Sequence, residues 1–322
     1  MIDLPNKDGL IFDLPQRIAD IIKEYQSTGA LVINTNNEGI SLQAANFYNV
    51  LDYVCKEFNI DKSKVTIRTT NAEEVHSEYN ILIVKDHWID MSKDTYNISL
   101  ESKKDTLATV GCFLGKPNWH RLIISAWLYN NYKSQCIQTM HYNPADELHK
   151  IDSEFTKINI ESTQADLESV VAFVKHCPVV LDEGFINYTI GPDKHYNIIN
   201  QYSNIFVDLV VETYVIGNTF FPTEKTLRPI IAHTPFIIMG PQGYLENLRR
   251  MGFQTFNNWW DESYDNCTGY QRIQLIKDLL KDIFTWDQVK LNQILTEMYD
   301  ILDHNHSHLK KITGSATKLH GK

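Results

Sequence analysis

The chain has 322 residues, with 30 Lys and Arg against 40 Asp and Glu, for a formal charge of −10. That length is more than one hydrophobic core usually organises and predicts two domains of roughly 150 residues each. Apolar content of 43% with 22% charged residues excludes a disordered or fibrous chain.

The predicted elements alternate between strand and helix. Residues 29–34 (GALVIN) form a short apolar run, followed by the loop chemistry of NTNNEG. Residues 41–58 have Phe47, Leu51, Val54 and Phe58 on one helical face. Strands are expected at 64–70 (KVTIRTT), as a buried strand at 79–84 (YNILIV), and at 106–115 (TLATVGCFLG). Asn118 is placed to cap a helix over 119–133, with a strand at 135–141. Thr163 with Asp166 resembles a capping box and opens a helix to His176. Strands at 205–213 and 235–240 flank a helix over Thr223–Ala232. A helix over 244–251 has Gly252 as its C′ residue, and 253–256 (FQTF) reads as a short strand. Helices at 271–283 and 287–304 follow.

This order predicts an α/β protein with two Rossmann-like parallel sheets. The expected division is an N-terminal domain over 1–155, a second Rossmann-like domain over 156–270, and C-terminal helices over 271–322 that pack back on the first domain.

No apolar run reaches the ~18 residues of a membrane span. Asp3, Asp8 and Asp13 stand where a signal peptide would be basic. Cys55, Cys112, Cys136, Cys177 and Cys267 form no CxxC pair, which argues against a disulfide framework or a structural zinc. A cytoplasmic protein without membrane contact is expected. Residues 1–100 hold 9 basic and 15 acidic groups, whereas 101–150 hold 6 basic and 4 acidic. An acidic chain with local basic spots suits a small anion better than a long polyanion.

The densest site signal lies at 211–240 (VETYVIGNTFFPTEKTLRPIIAHTPFIIMG). A strand ends at Glu212, and Thr223 caps a helix that opens with Glu224, Lys225 and Arg228. In open α/β sheets the ligand crevice lies beyond the carboxyl ends of the strands. Free N–H groups at the helix start, with Lys225 and Arg228, suit a diphosphate, and Glu224 suits a ribose diol. The same spacing also fits a capped helix with a solvated first turn.

The stretch Glu212–Gly240, with Thr223-Glu224-Lys225 at its core, resembles the donor-binding motif of α-1,3-fucosyltransferases. That motif has an acidic residue after a strand, a Thr-Glu-Lys helix start, and a strand ending Pro-x-x-x-Gly. Residues 243–265 and 29–54 are more similar to glycosyltransferase-like proteins of tailed bacteriophages, among them enzymes that put sugars such as arabinose on modified cytosines. The fucosyltransferase likeness covers about 30 residues; the phage-type likeness extends over most of the chain. The resemblance implies a two-Rossmann (GT-B) glycosyltransferase whose second domain holds a nucleotide diphosphate sugar. That sugar is UDP-linked and serves as co-substrate, with no resident cofactor. It places Glu224 on the donor ribose with Lys225 as the adjacent motif lysine, and it groups Glu212 and Thr223 with the donor site. Glu212-Thr213 departs from the Glu-Asn usual in the motif and leaves the sugar open. The implied acceptor is hydroxymethylcytosine in phage DNA. A surface glycan or lipid-linked sugar, and a non-catalytic nucleotide-sugar or nucleic-acid binding module, are the alternatives.

The chain has no Asp-x-Asp pair, so no metal is expected on the diphosphate. Cationic side chains would stabilise the leaving group instead, with Arg228 in a catalytic role. A second candidate, 111–122 (GCFLGKPNWHRL), brings Lys116 and Arg121 to a helix start and is expected to reach the diphosphate from the first domain. It is not a Walker A loop, because Lys-Pro replaces Lys-Ser/Thr. Third, Glu38 after the first strand is a candidate general base for the acceptor hydroxyl, against the plainer reading of a polar loop. His304, His306 and His308 read as solvated. Asp261, Glu262 and Asp265 beside Trp259-Trp260 are an acceptor-side alternative.

Overall fold

The computed structural model describes residues 1–4, 6–7, 10–11, 14–35, 39–84, 103–142, 148–181, 198, 200–217 and 219–317. The chain divides into two compact units: Met1–Asp90 with Ile216–Pro222, and Met91–Val215 with Thr223–Lys322. Each contains a parallel sheet, as the alternating pattern predicts.

In the first unit, β1 (Ile2–Asp3), β4 (Leu31–Asn34), β5 (Val65–Thr69) and β6 (Asn80–Ile83) are neighbours in chain order. A hairpin of β2 (Asn6–Lys7) and β3 (Leu10–Ile11) lies outside that sheet. Helix α1 (Ile18–Thr28) links β1 to β4 and ends at Gly29, whose φ of 70° is the left-handed conformation that glycine adopts without strain. Helix α2 (Phe47–Glu57) buries Phe47, Leu51 and Val54 of the face predicted from spacing, whereas Phe58, expected on the same face, lies at its end and is 44% exposed. It starts later than residue 41, after Asn46 in a left-handed turn (φ 57°). β6 differs from the buried strand expected at 79–84: it is an edge strand, and Leu82 is 48% exposed. Phe220 N–H donates to Asn71 Oδ1 at 2.9 Å, which fastens the 216–222 segment to this unit.

The second unit contains β7 (Ala108–Leu114), β8 (Cys136–Met140), β9 (Ile205–Val211) and β10 (Phe236–Met239), all parallel in the order β10-β9-β7-β8. β9 is buried at every residue, as a central parallel strand must be. After β7 come α3 (Trp119–Tyr132) and β8; then α4 (Leu148–Glu161) and α5 (Gln164–Val174) precede β9. The Thr163–Asp166 capping box is present, with Thr163 Oγ1 accepting from Asp166 N–H. Helix α6 (Glu224–Ile231) joins β9 to β10, and α7 (Tyr244–Arg250) and α8 (Gly269–Ile283) follow.

This sheet corrects the domain boundary expected at 155. β7 pairs with β9, so residues 108–140 and 205–239 share one core, and the first unit ends near Asp90. The C-terminal helices also belong to the second unit, where α8 packs on α3 and β10. The predicted helix 287–304 is two helices, α9 (Gln288–Glu297) and α10 (Tyr299–Thr317), with α10 packed on α6.

FQTF forms no strand. Gln254 N–H donates to Asn305 Oδ1 and Phe256 N–H to Glu262 Oε1, so side chains replace a ladder partner. The α10 histidines are not simply solvated. His304, His306 and His308 lie within 3.1 Å of the carbonyls of Gly252, Ile231 and Met251, where α6 and α7 end. No helix among the described residues is long and apolar enough to cross a membrane.

Candidate functional site

β7 connects onward to β8 on one side and β9 to β10 on the other, so the order of connection reverses between β7 and β9. The carboxyl ends of two such strands frame the crevice where ligands of open α/β sheets bind. The sequence candidates at 111–121 and 211–228 both fall there. Each follows a strand of one sheet, so 111–121 does not belong to a separate first domain, while residues 216–222 belong to the first unit.

From the β7 side, the first two turns of α3 are buried from Trp119 to Ala126, which makes the helix only weakly amphipathic. His120 and Arg121 are therefore interior residues, each 3% exposed. They bond the end of β9: Arg121 Nη2 donates to Val211 O and His120 Nε2 to Glu212 O, both at 3.2 Å. Because Nε2 meets a carbonyl it carries the proton, and Nδ1 has the lone pair. Burial, with the nearby charge of Arg121, brings the His120 pKa down to about 3, so the ring is neutral. Lys116 occupies the exposed turn before α3.

From the β9 side, the Glu212 carboxylate is buried and engaged. It accepts from Thr223 N–H (3.1 Å), Thr223 Oγ1 (2.7 Å), Thr226 Oγ1 (2.7 Å) and Tyr244 OH (3.0 Å). Thr223 Oγ1 in turn accepts from Lys225 N–H at 3.3 Å and from Lys225 Nζ at 2.8 Å. This corrects two expectations. Thr223 and Lys225 N–H groups at the start of α6 are satisfied within the protein and not free for a diphosphate. Glu212 is committed to capping, so it acts on any ligand through α6.

Glu224 lies at the lip, with its side chain 24% exposed and Oε1 3.0 Å from Lys225 Nζ. Burial opposes its charge, but Lys225 and Arg228 outweigh that and bring its pKa down to about 2. Arg228 lies one turn into α6 and is 7% exposed. Burial opposes its charge as well, and Tyr202, Asp208 and the two glutamates counter it, leaving its pKa raised. None of its guanidinium nitrogens has a hydrogen-bond or ion-pair partner among the described residues, and Nε is buried. Arg121 Nε and His120 Nδ1 are likewise buried without partners. Such groups cost about 1–3 kcal/mol each when left unsatisfied, more if charged. The two arginine Nε–H groups are donors suited to the oxygens of an anion, whereas His120 Nδ1 is an acceptor.

Glu38 lies outside the described residues. A buried carboxylate that sequence reading passed over, Glu74, sits in the first unit, where it accepts from Leu42 N–H, Tyr48 OH and Asn71 Nδ2. The acidic residues near Trp259-Trp260 are structural. Glu262 accepts from Thr255, Phe256 and Arg249, and Asp265 pairs with Arg272 at 2.6 Å. No group of three or more His, Cys, Asp or Glu among the described residues is arranged to hold a metal.

The buried His120 and the half-buried His141 and His306 predict an acid limit to stability. Burial brings His120 to about 3 and both His141 and His306 to about 4. All three are neutral in the fold at pH 5, while the unfolded chain protonates them near pH 6.5. Asp208 acts in the opposite sense, its pKa raised by burial to about 6. Unfolding at pH 5 thus takes up about two net protons, and stability falls by roughly 2 kcal/mol per pH unit from pH 6.5 towards 4. Urea midpoints across that range provide the check; a flat profile would contradict it.

Compared with known proteins, the chain matches no family model, and no curated protein matches it.

Proposed function

We propose that the chain is a nucleotide-sugar-dependent glycosyltransferase of the two-Rossmann (GT-B) type, acting in the cytoplasm. The observation that carries this reading is the buried Arg228, whose guanidinium has no hydrogen-bond acceptor among the described residues at the sheet switch point. A nucleoside diphosphate supplies the missing acceptors. Arg228 and Arg121 take its phosphate oxygens, with Lys225 at the lip and Lys116 on the adjoining turn. Glu224, held ionised, accepts from the ribose hydroxyls. An acceptor hydroxyl attacks the anomeric carbon, and the bond to the diphosphate breaks. The hydroxyl proton passes to a base, for which Glu38 is the proposed residue. The cationic side chains stabilise the charge that develops on the leaving diphosphate.

The favoured acceptor is hydroxymethylcytosine in DNA, as the phage likeness implies, and in duplex DNA the base must be flipped out. The test is to incubate the protein with UDP- and GDP-sugars and plain or hydroxymethylated DNA, then weigh the digested nucleosides. The expected product is hydroxymethyl-deoxycytidine heavier by one sugar residue. Transfer to glycans alone would overturn the acceptor, and no transfer with no nucleotide binding would overturn the whole reading.

Glu224→Ala is expected to weaken UDP or GDP binding roughly ten- to a hundredfold, because charge-assisted bonds to ribose are each worth about 1.5–3 kcal/mol. The melting temperature is expected to fall by a few degrees, because the carboxylate is held ionised beside Lys225 and Arg228, so affinities are compared on the folded variant. Calorimetric affinity equal to wild type for every nucleotide would place the donor elsewhere.

A further inference from the structure

His120 is the one partnerless group at the switch point that cannot take an anion. Its Nε2–H is fixed on the Glu212 carbonyl, so Nδ1 faces inward as a bare lone pair, 97% of the residue being shielded from solvent. A phosphate oxygen at Nδ1 would set lone pair against lone pair. The ligand atom there must carry a hydrogen. The next residue, Arg121, has a partnerless Nε–H that requires an acceptor. His120 Nδ1 and Arg121 Nε therefore differ in what they ask of a ligand, a hydroxyl at one and an acceptor oxygen at the other.

We propose that His120 is a donor-recognition residue whose Nδ1 accepts a hydrogen bond from a hydroxyl of the transferred sugar. This rests on the nucleotide-sugar reading, which assigns the ribose hydroxyls to Glu224 and so leaves the sugar as the source. His120 is neither the general base nor a phosphate-binding cation: its low proton affinity keeps it from accepting the acceptor's proton or charging against the diphosphate.

The experiment compares His120→Gln with His120→Asn. Glutamine can place an amide N–H near the position of Nε2 and keep the bond to Glu212 O, but offers nothing at Nδ1. Asparagine places its amide near Nδ1 and can accept there, but loses the bond to Glu212 O. Calorimetric affinities are measured for UDP, GDP, UDP-glucose, UDP-arabinose and GDP-fucose, with melting temperature alongside. The expected result is that His120→Gln binds UDP and GDP like wild type but binds the preferred nucleotide sugar about three- to tenfold more weakly. His120→Asn should retain the sugar contribution, and wild-type sugar binding should show no titration near pH 6.5 that His120→Gln abolishes.

Equal losses in both variants that track melting temperature would make His120 purely structural and overturn the proposal. A loss already present with UDP or GDP would move the hydroxyl to the nucleoside and overturn the sugar assignment. If wild type binds none of the five ligands, the nucleotide-sugar reading itself fails. If it binds them and His120→Gln matches it throughout, only the role of His120 fails.

Discussion

Replacing Glu212 by alanine is expected to destabilise the second unit by about 3–5 kcal/mol, because it removes the common acceptor of several buried donors. Thr223 N–H, the hydroxyls of Thr223 and Thr226, and Tyr244 OH all converge on this carboxylate. In a unit of more than two hundred residues this lowers the melting temperature by on the order of 10 °C. Burial and Glu212 both hold the Tyr244 phenol protonated, so its hydroxyl cannot escape the deficit by ionising. Glu212→Gln keeps an acceptor and is expected to lose less than half as much. Because Glu212 sets the start of α6, the alanine variant should also bind nucleotides more weakly in the fraction that remains folded. Thermal melts within about 2 °C of wild type would show that the cap is not organised as described.

Arg272→Leu is the second large effect, again about 3–5 kcal/mol. Arg272 is fully buried, and its Nη atoms donate to Asp265 Oδ1, Pro241 O, Cys267 O and Ile238 O. Leucine fills much of the volume but leaves the Asp265 carboxylate, 3% exposed, without its cation. Asp265 also accepts the N–H groups of Leu245 and Glu246 at the start of α7, so the loss reaches that helix. Adding Asp265→Asn removes the stranded charge and keeps an acceptor for α7. The double variant should therefore be more stable than Arg272→Leu alone. Urea unfolding of the two single variants and the double checks this, and simple additivity would sink the charge-stranding explanation.

Much of the architecture was legible from local rules. The strands at 31–34, 65–69, 108–114, 136–140, 205–211 and 236–239 emerged from apolar runs bounded by turn chemistry. Gly252 at φ 96° and the Thr163–Asp166 box lay where capping preferences placed them. Helix α1 was not predicted, although Ile18, Ile21, Ile22 and Tyr25 recur at helical spacing along Ile18–Thr28. Local rules missed the division of 287–304 at Met298, because no glycine or proline marks it.

The site was half legible. The sequence by itself determined that Thr223 caps a helix opening Glu-Lys after a buried strand, since N-cap chemistry acts within three residues. It also determined the alternation that yields parallel sheets. Only the tertiary structure decided which strands share a sheet, because β7 and β9 are about ninety residues apart and pair by backbone bonds that carry no residue code. That pairing brings His120 and Arg121 to the end of β9, turns Glu212 inward as a cap, and leaves Arg228 buried without an acceptor among the described residues. A charged residue in the sequence looks the same whether it faces water or the interior. Burial, which separates a solvated arginine from an interior one, is a property of the assembled sheet and its helices.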